Sequence, residues 1–307
     1  MSTPYRAAIV QFKPRKGNVD GNLAKLGEVF AQLVASDPPD LIVLPEAALT
    51  GYFLEGAVYE LALPTAAFAA KLDATWRAAA GDRTIDIICG FYENDAGAYH
   101  NSALYATLGG DGPHVKYVHR KMFLPTYGVF DEERFLSRGR RLGTFETPFG
   151  RAAILICEDA WHAVMPTIAA LKGARLIVVP SASPGRGLGG GGTLESIAYW
   201  RAMLTTFASE HGVYVLYAGL TGFEGGKGMS GSSCVVSPRG EILAVTDELS
   251  VTIVRATLDP AEVDLARATL PLLGDLGSVL PDLWYDDELP LPRNGPPPRE
   301  VLDAAGR

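Results

Sequence analysis

The chain has 307 residues, 48% hydrophobic and 20% charged, enough apolar side chain to bury a large core in one α/β unit or two domains. A formal net charge of -8 argues against a nucleic-acid surface, and no apolar run approaches the ~20 residues of a membrane span. Three widely spaced cysteines, Cys89, Cys157 and Cys234, make neither a disulfide framework nor a zinc site, and MSTPYRAAIVQF carries no signal-peptide apolar region, so a cytoplasmic setting is expected.

In chain order, residues 5–11 read as a strand, 19–36 as an amphipathic helix and 41–45 (LIVLP) as a second, buried strand. A helix follows at 64–79, then a strand at 85–91 and a hairpin of 99–107 with 113–119 around GGDG. The order then recurs: a strand at 151–157, a helix near 163–172, a strand at 175–180, a helix at 194–211, the strand VYVLYAG, and strand pairs across SPRG and near 250–257. Buried strands alternating with helices indicate helix-covered sheets, and the twofold repeat predicts two similar sheets packed face to face. Residues 1–270 form this body. The stretch from 271 to 307 is rich in Pro and acids, shows no helical periodicity, and is expected to be an arm on the body or on a partner subunit, its last ten residues mobile.

Three stretches carry candidate chemistry. In RAAILICEDAW an apolar run ends abruptly at Cys157, which sets a thiol on a strand corner, whereas Cys89 and Cys234 sit inside apolar runs as structural cysteines do. A nucleophilic thiol needs a base and a positive neighbour. His162 is the local histidine candidate, but its flanks match no papain- or caspase-type site. Glu46, just past LIVLP, is the alternative base, because catalytic groups in α/β sheets gather outside the carboxyl ends of strands. In YVHRKMFLPTYGVFDEERF, Lys121 ends a hairpin strand ahead of an apolar turn, where a fixed ammonium can stabilise a thiolate or an oxyanion.

Taken together, LPE, HRK and ICED resemble the nitrilase superfamily of carbon–nitrogen hydrolases, in family order and spacing over about 5–270. The resemblance implies a four-layer αββα sandwich of two pseudo-symmetric sheets that usually dimerises, and a catalytic set of Glu46, Lys121 and Cys157. It also implies a supporting carboxylate among Asp131, Glu132 and Glu133, with Glu132 favoured by loop spacing, and an oxyanion donor in the backbone N–H of Glu158. No metal or organic cofactor is implied. Tyr52, Tyr127, Trp161 and Ser181 are pocket candidates. The helix at 163–172, followed by the arm, is the implied homodimer face.

ICED and LPTYGVFDEERF are most similar to the glutaminase portions of glutamine-dependent NAD synthetases, but no synthetase pyrophosphate motif accompanies them. The expectation is a free-standing amidase acting on a small ω-amide or glutamine-like carboxamide through a Cys thioester. An N-carbamoyl amine hydrolase or a nitrilase is the alternative within the class, and an ammonia-supplying subunit of an ATP-dependent synthetase is the alternative outside it. Gly185, Gly187 and Gly190 match G-x-G-x-x-G, yet the turn is too long and no acid ends the following strand, so a loop at the mouth of the site is expected there. GFEGGKGMSGSS is expected at the same rim.

Overall fold

The computed structural model describes residues 4–187, 194–247 and 249–284, which form two six-stranded sheets packed face to face beneath helices. The chain runs through β1 (Tyr5–Gln11), α1 (Val19–Ala35), β2 (Leu41–Val43), α2 (Val58–Leu61), α3 (Thr65–Ala80), β3 (Ile85–Asp95), β4 (Ala98–Leu108) and β5 (His114–Arg120). The second half holds β6 (Phe145–Thr147), β7 (Gly150–Ile154), α4 (Val164–Leu171), β8 (Leu176–Ser181), α5 (Glu195–His211) and β9 (Tyr214–Gly219). It closes with β10 (Thr221–Glu224), β11 (Lys227–Ser230), β12 (Cys234–Val236), β13 (Ile242–Val245), β14 (Thr252–Leu258), α6 (Pro260–Thr269) and α7 (Leu272–Trp284).

The two sheets, ordered β14-β1-β2-β3-β4-β5 and β6-β7-β8-β9-β12-β13, repeat one plan. Each has three parallel strands at its centre, an antiparallel strand beside the first of them and two antiparallel strands beyond the third. The expected αββα sandwich is therefore the observed one. A parallel bridge between Phe12 and Leu220 ties the ends of β1 and β9 across the sheets. The carboxyl ends of both parallel cores consequently open at one edge, where ligand sites of such sheets form.

Side-chain alternation assembles the layers. Ala8 and Val10 pack with Leu26, Phe30 and Leu33 beneath the helices, whereas Ala7 and Ile9 share a core with Ile154, Val178 and Leu216 of the opposite sheet. Both faces of these strands are buried, so their sequences read as continuous apolar runs rather than alternating ones. The helices are closed by local chemistry: Asn18 Oδ1 accepts the Gly21 N–H at 3.0 Å ahead of α1, and Asp259 caps α6, which has Pro260 in its first turn.

Three elements differ from expectation. β3 runs on to Asp95 and pairs with β4 along its whole length, and β10 with β11 forms a small separate hairpin. The arm is corrected more substantially, because residues 272–284 are helical and α7 packs against α4 and α5. Leu273, Leu276, Leu280 and Leu283 recur at steps of about three to four residues, a stripe obscured in the sequence by Gly274, Gly277 and Pro281. Residues 285–307, with the ten expected to be mobile, lie outside the described residues.

Candidate active site

Glu46 lies three residues beyond β2 and is fully buried. Its Oε1 accepts from Lys121 Nζ at 2.8 Å and Asn101 Nδ2 at 2.7 Å, and its Oε2 accepts from the amide of Ala182 at 2.7 Å. The turn is pinned by Gly90 of β3, whose N–H donates to Pro45 O at 3.1 Å. A Cβ at Gly90 would stand 2.5 Å from Glu46 Cα and 2.6 Å from Pro45 O, so only glycine lets β3 pass this close. The next residue, Ala47, sits at φ +50°, a conformation that side-chain-bearing residues rarely adopt.

Lys121 leaves the end of β5 with its backbone fixed: its N–H donates to Asn101 O at 2.8 Å and its carbonyl accepts from Gly139 N at 2.7 Å. The ammonium is fully buried between Glu46 and Glu132 Oε1, the latter at 2.6 Å, and lies 5.6 Å from the centre of the Tyr52 ring. Burial disfavours its charge, but the carboxylates of Glu132 and Glu46 outweigh burial and hold it protonated well above the usual lysine range. Burial pushes the Glu132 carboxyl up to about 7 against the pull of Lys121, and Glu46 adds repulsion. Tyr52 OH also donates to Glu132 Oε1, while Oε2 has no hydrogen-bond partner among the described residues. Of the three adjacent acids, Glu132 is the one that faces the lysine. Asp131 instead lies 3.6 Å from Arg134, and Glu133 lies 3.4 Å from the Thr126 hydroxyl.

Cys157 opens a short 3₁₀-helix, Cys157–Trp161, three residues past β7. It sits at φ +46°, a left-handed conformation that costs a non-glycine residue roughly 1–2 kcal/mol and persists where surroundings over-determine it. Ser181 Oγ, at the end of β8, donates to its sulfur at 3.3 Å. Burial, then the charge of Glu46, push the thiol well above the ordinary cysteine range, and Lys121 and Ser181 pull it only part of the way back. Such a thiol needs a base rather than resting as a thiolate. Passing its proton to a neighbouring carboxylate leaves the charge of the cluster unchanged, which a low-dielectric site favours.

The other expected residues divide. Tyr127, half exposed, donates to Glu158 Oε2 at 2.9 Å and forms a rim pair above the cysteine turn. Trp161 does not join the cluster. It stacks on Tyr199 at 4.6 Å and lines a groove between α4 and α5, because four residues of 3₁₀ turn carry it about 120° round from Cys157. His162 stacks on Phe123 and lies 3.9 Å from Glu158, so no Cys–His pair is built. A cavity of about 140 Å³, lined by Tyr52, Phe53, Tyr92, Phe130 and Glu132, adjoins the lysine side of the site without reaching Cys157. The hairpin of β10 and β11 braces the segment that carries Tyr52: Glu224 Oε2 accepts the amides of Tyr52 at 2.8 Å and Phe53 at 3.0 Å. Residues 188–193 of the expected glycine-rich mouth loop, Gly190 among them, lie outside the described residues.

Sequence reasoning missed Asn101, His119, Asp159 and Glu224, all buried and all hydrogen-bonded around the cluster. The available signal was a polar residue inside an otherwise apolar strand pattern, as in HNSALYA. Among the described residues no group of three or more His, Cys, Asp and Glu is arranged to hold a metal ion, and no helix is long and apolar enough to cross a membrane.

Known proteins are similar to this chain in sequence and in fold. The carbon–nitrogen hydrolase family pattern matches residues 6–268. A glutamine-dependent NAD(+) synthetase of Thermotoga maritima is 30% identical over 259 residues, which cover 83% of this chain and 42% of that protein; the chain thus spans less than half of such relatives. A carbon–nitrogen hydrolase structure from Helicobacter pylori G27 superposes with a TM-score of 0.79 at 24% identity, covering 92% of this chain and 99% of the other. A mutant amidase from Nesterenkonia sp. AN1, with the acetamide moiety of fluoroacetamide added covalently at its active-site cysteine, superposes with a TM-score of 0.73 at 22% identity, covering 92% and 97%.

Proposed function

Because the chain belongs to the carbon–nitrogen hydrolase family, we propose that it hydrolyses a small carboxamide, ω-amide or glutamine-like, through a thioester on Cys157. The observation that carries this reading is the buried Lys121 ammonium held at 2.8 Å by Glu46 and 2.6 Å by Glu132, close enough to Cys157 for thiol and ammonium to feel each other's charge. Glu46 accepts the thiol proton as the sulfur attacks the amide carbon. Lys121 and the backbone N–H of Glu158 hold the oxyanion. Glu46 then returns the proton to the departing nitrogen, and ammonia leaves. Water, deprotonated by Glu46, attacks the thioester; the acid departs and the proton returns to sulfur. Glu132 and Tyr52 keep Lys121 in place, and Ser181 orients the thiol. That a structural neighbour, from Nesterenkonia sp. AN1, is an amidase supports amide rather than nitrile chemistry. The Glu158–Tyr127 pair at the rim supports a substrate with an ammonium group remote from its amide.

One observation favours a second reading. The synthetase relatives are more than twice as long as the matched segment, which suits a role for this chain as an ammonia source for an ATP-dependent synthetase. Ammonia release by the isolated protein separates the two. The test is a panel of amides, carbamoyl compounds and nitriles assayed for ammonia, with Cys157→Ala as control. Release from amides that Cys157→Ala abolishes supports the amidase; release only after adding a synthetase supports the second reading.

We further propose a homodimer across α4 and α5, where Trp161, Pro166, Tyr199, Met203 and Phe207 line a groove of about 290 Å³ beside the exposed Leu272, Val279 and Leu283 of α7.

A further inference from the structure

Asp159 is fully buried two residues after Cys157, and its carboxylate takes four N–H donors from both sides of the site. Oδ1 accepts the amides of Met122 at 2.9 Å and Phe123 at 3.0 Å. Oδ2 accepts the amide of Ile156 at 3.1 Å and faces the ring Nε2 of His119 at 2.9 Å. Met122 follows Lys121, and Ile156 precedes Cys157. One side chain therefore fastens the residue next to the ammonium to the residue next to the thiol, across the gap between the two sheets.

We propose that Asp159 is the positioning residue of this site: it sets Lys121 and Cys157 relative to one another, and His119 fixes the orientation of its carboxylate. The proposal rests on reading Lys121 as the oxyanion cation and Cys157 as the nucleophile. Four donors fill a carboxylate's acceptor sites, and an amide in its place would turn an NH₂ toward one of the two donor pairs. The clasp on Ile156 is reciprocal, because the Asp159 N–H donates to Ile156 O at 3.0 Å. That clasp borders Cys157 at φ +46°, where an over-determined surrounding is required. His119 is itself without side-chain exposure, and its Nδ1 has no hydrogen-bond partner among the described residues. An imidazole half-satisfied in the core is tolerated for the bond that its other nitrogen makes.

The test compares alkylation of Cys157 by iodoacetamide, read on the Cys157 peptide by mass spectrometry, in the wild type, Asp159→Asn, His119→Ala and His119→Gln. Melting temperature and turnover of a verified amide are measured alongside. Asp159→Asn is expected to slow alkylation and lower kcat by about tenfold or more with KM changed less than about threefold, the signature of lost geometry rather than lost binding. His119→Ala is expected to move both in the same direction, and His119→Gln, which keeps an N–H donor, to recover most of the loss. Asp159→Asn that melts lower yet alkylates and turns over as the wild type does overturns the proposal. Should Asp159→Asn fail to fold, His119→Ala decides between the same two outcomes. Turnover that survives Cys157→Ala defeats the functional reading instead, and the alkylation rates still decide whether Asp159 positions the thiol.

Discussion

The ammonium of Lys121 and the carboxylate of Glu132 meet at 2.6 Å with neither exposed to solvent beyond a few per cent, and Glu46 closes the opposite side of the lysine at 2.8 Å. Two carboxylates can be buried this close together because the cation stands between them.

Lys121→Met removes that cation and leaves two buried acids facing each other. Breaking a buried pair by deleting one partner typically costs about 3–5 kcal/mol. The variant is expected to lose that stability in urea or guanidinium titration and to lose turnover. Lys121→Met with Glu132→Gln is expected to recover part of the stability and none of the turnover.

Burial raises the Glu132 carboxyl to about 7, so the sign of the pH dependence follows. Below that value Glu132 is protonated and grips the ammonium less well; above it the carboxylate is formed. Activity is expected to rise with pH through a midpoint near 7 in kcat/KM. Glu132→Gln is expected to flatten that limb while lowering kcat by roughly 10–100-fold. A limb that survives Glu132→Gln assigns it to another group.

Gly90→Ala puts a methyl against the backbone of Pro45 and Glu46, where no flexible side chain can yield. An overpacked core site of this kind loses about 1–3 kcal/mol. Turnover is expected to fall further than stability, because the displaced turn carries Glu46. Gly97→Ala is a fitting control, as open space surrounds that position although its φ of +92° also strains the new residue.

The apolar α4–α5 groove predicts a dimer in light scattering at micromolar concentration. Tyr199→Glu, in the middle of that surface, is expected to yield monomer, and a wild-type monomer contradicts the proposed interface.

Much of the fold was legible because its parallel strands are apolar on both faces and each ends at a polar corner, as LIVLP before Glu46 and RAAILI before Cys157 do. The register of three short motifs then located Glu46, Lys121 and Cys157, which the fold brings to one edge. What stayed hidden depends on long-range pairing. Asp159 meets Met122 and His119 from the other sheet, and Glu224 reaches Tyr52 over 172 residues of chain. Local pattern carries no record of such partners. Trp161 departs from expectation for a related reason, since the 3₁₀ turn after Cys157 rotates it toward α5. The helix α7 was obscured by residues that weaken helices in isolation and are tolerated there because α4 and α5 support it.

The most direct test of the thioester mechanism is mass spectrometry of the Cys157 peptide after acid quench during turnover of a verified amide. The mechanism predicts a peptide heavier by the acyl group of the substrate, absent at zero time and absent from Cys157→Ala, whose turnover falls by about a thousandfold or more. Steady turnover with no acyl group on Cys157, together with undiminished activity in Cys157→Ala, would contradict it.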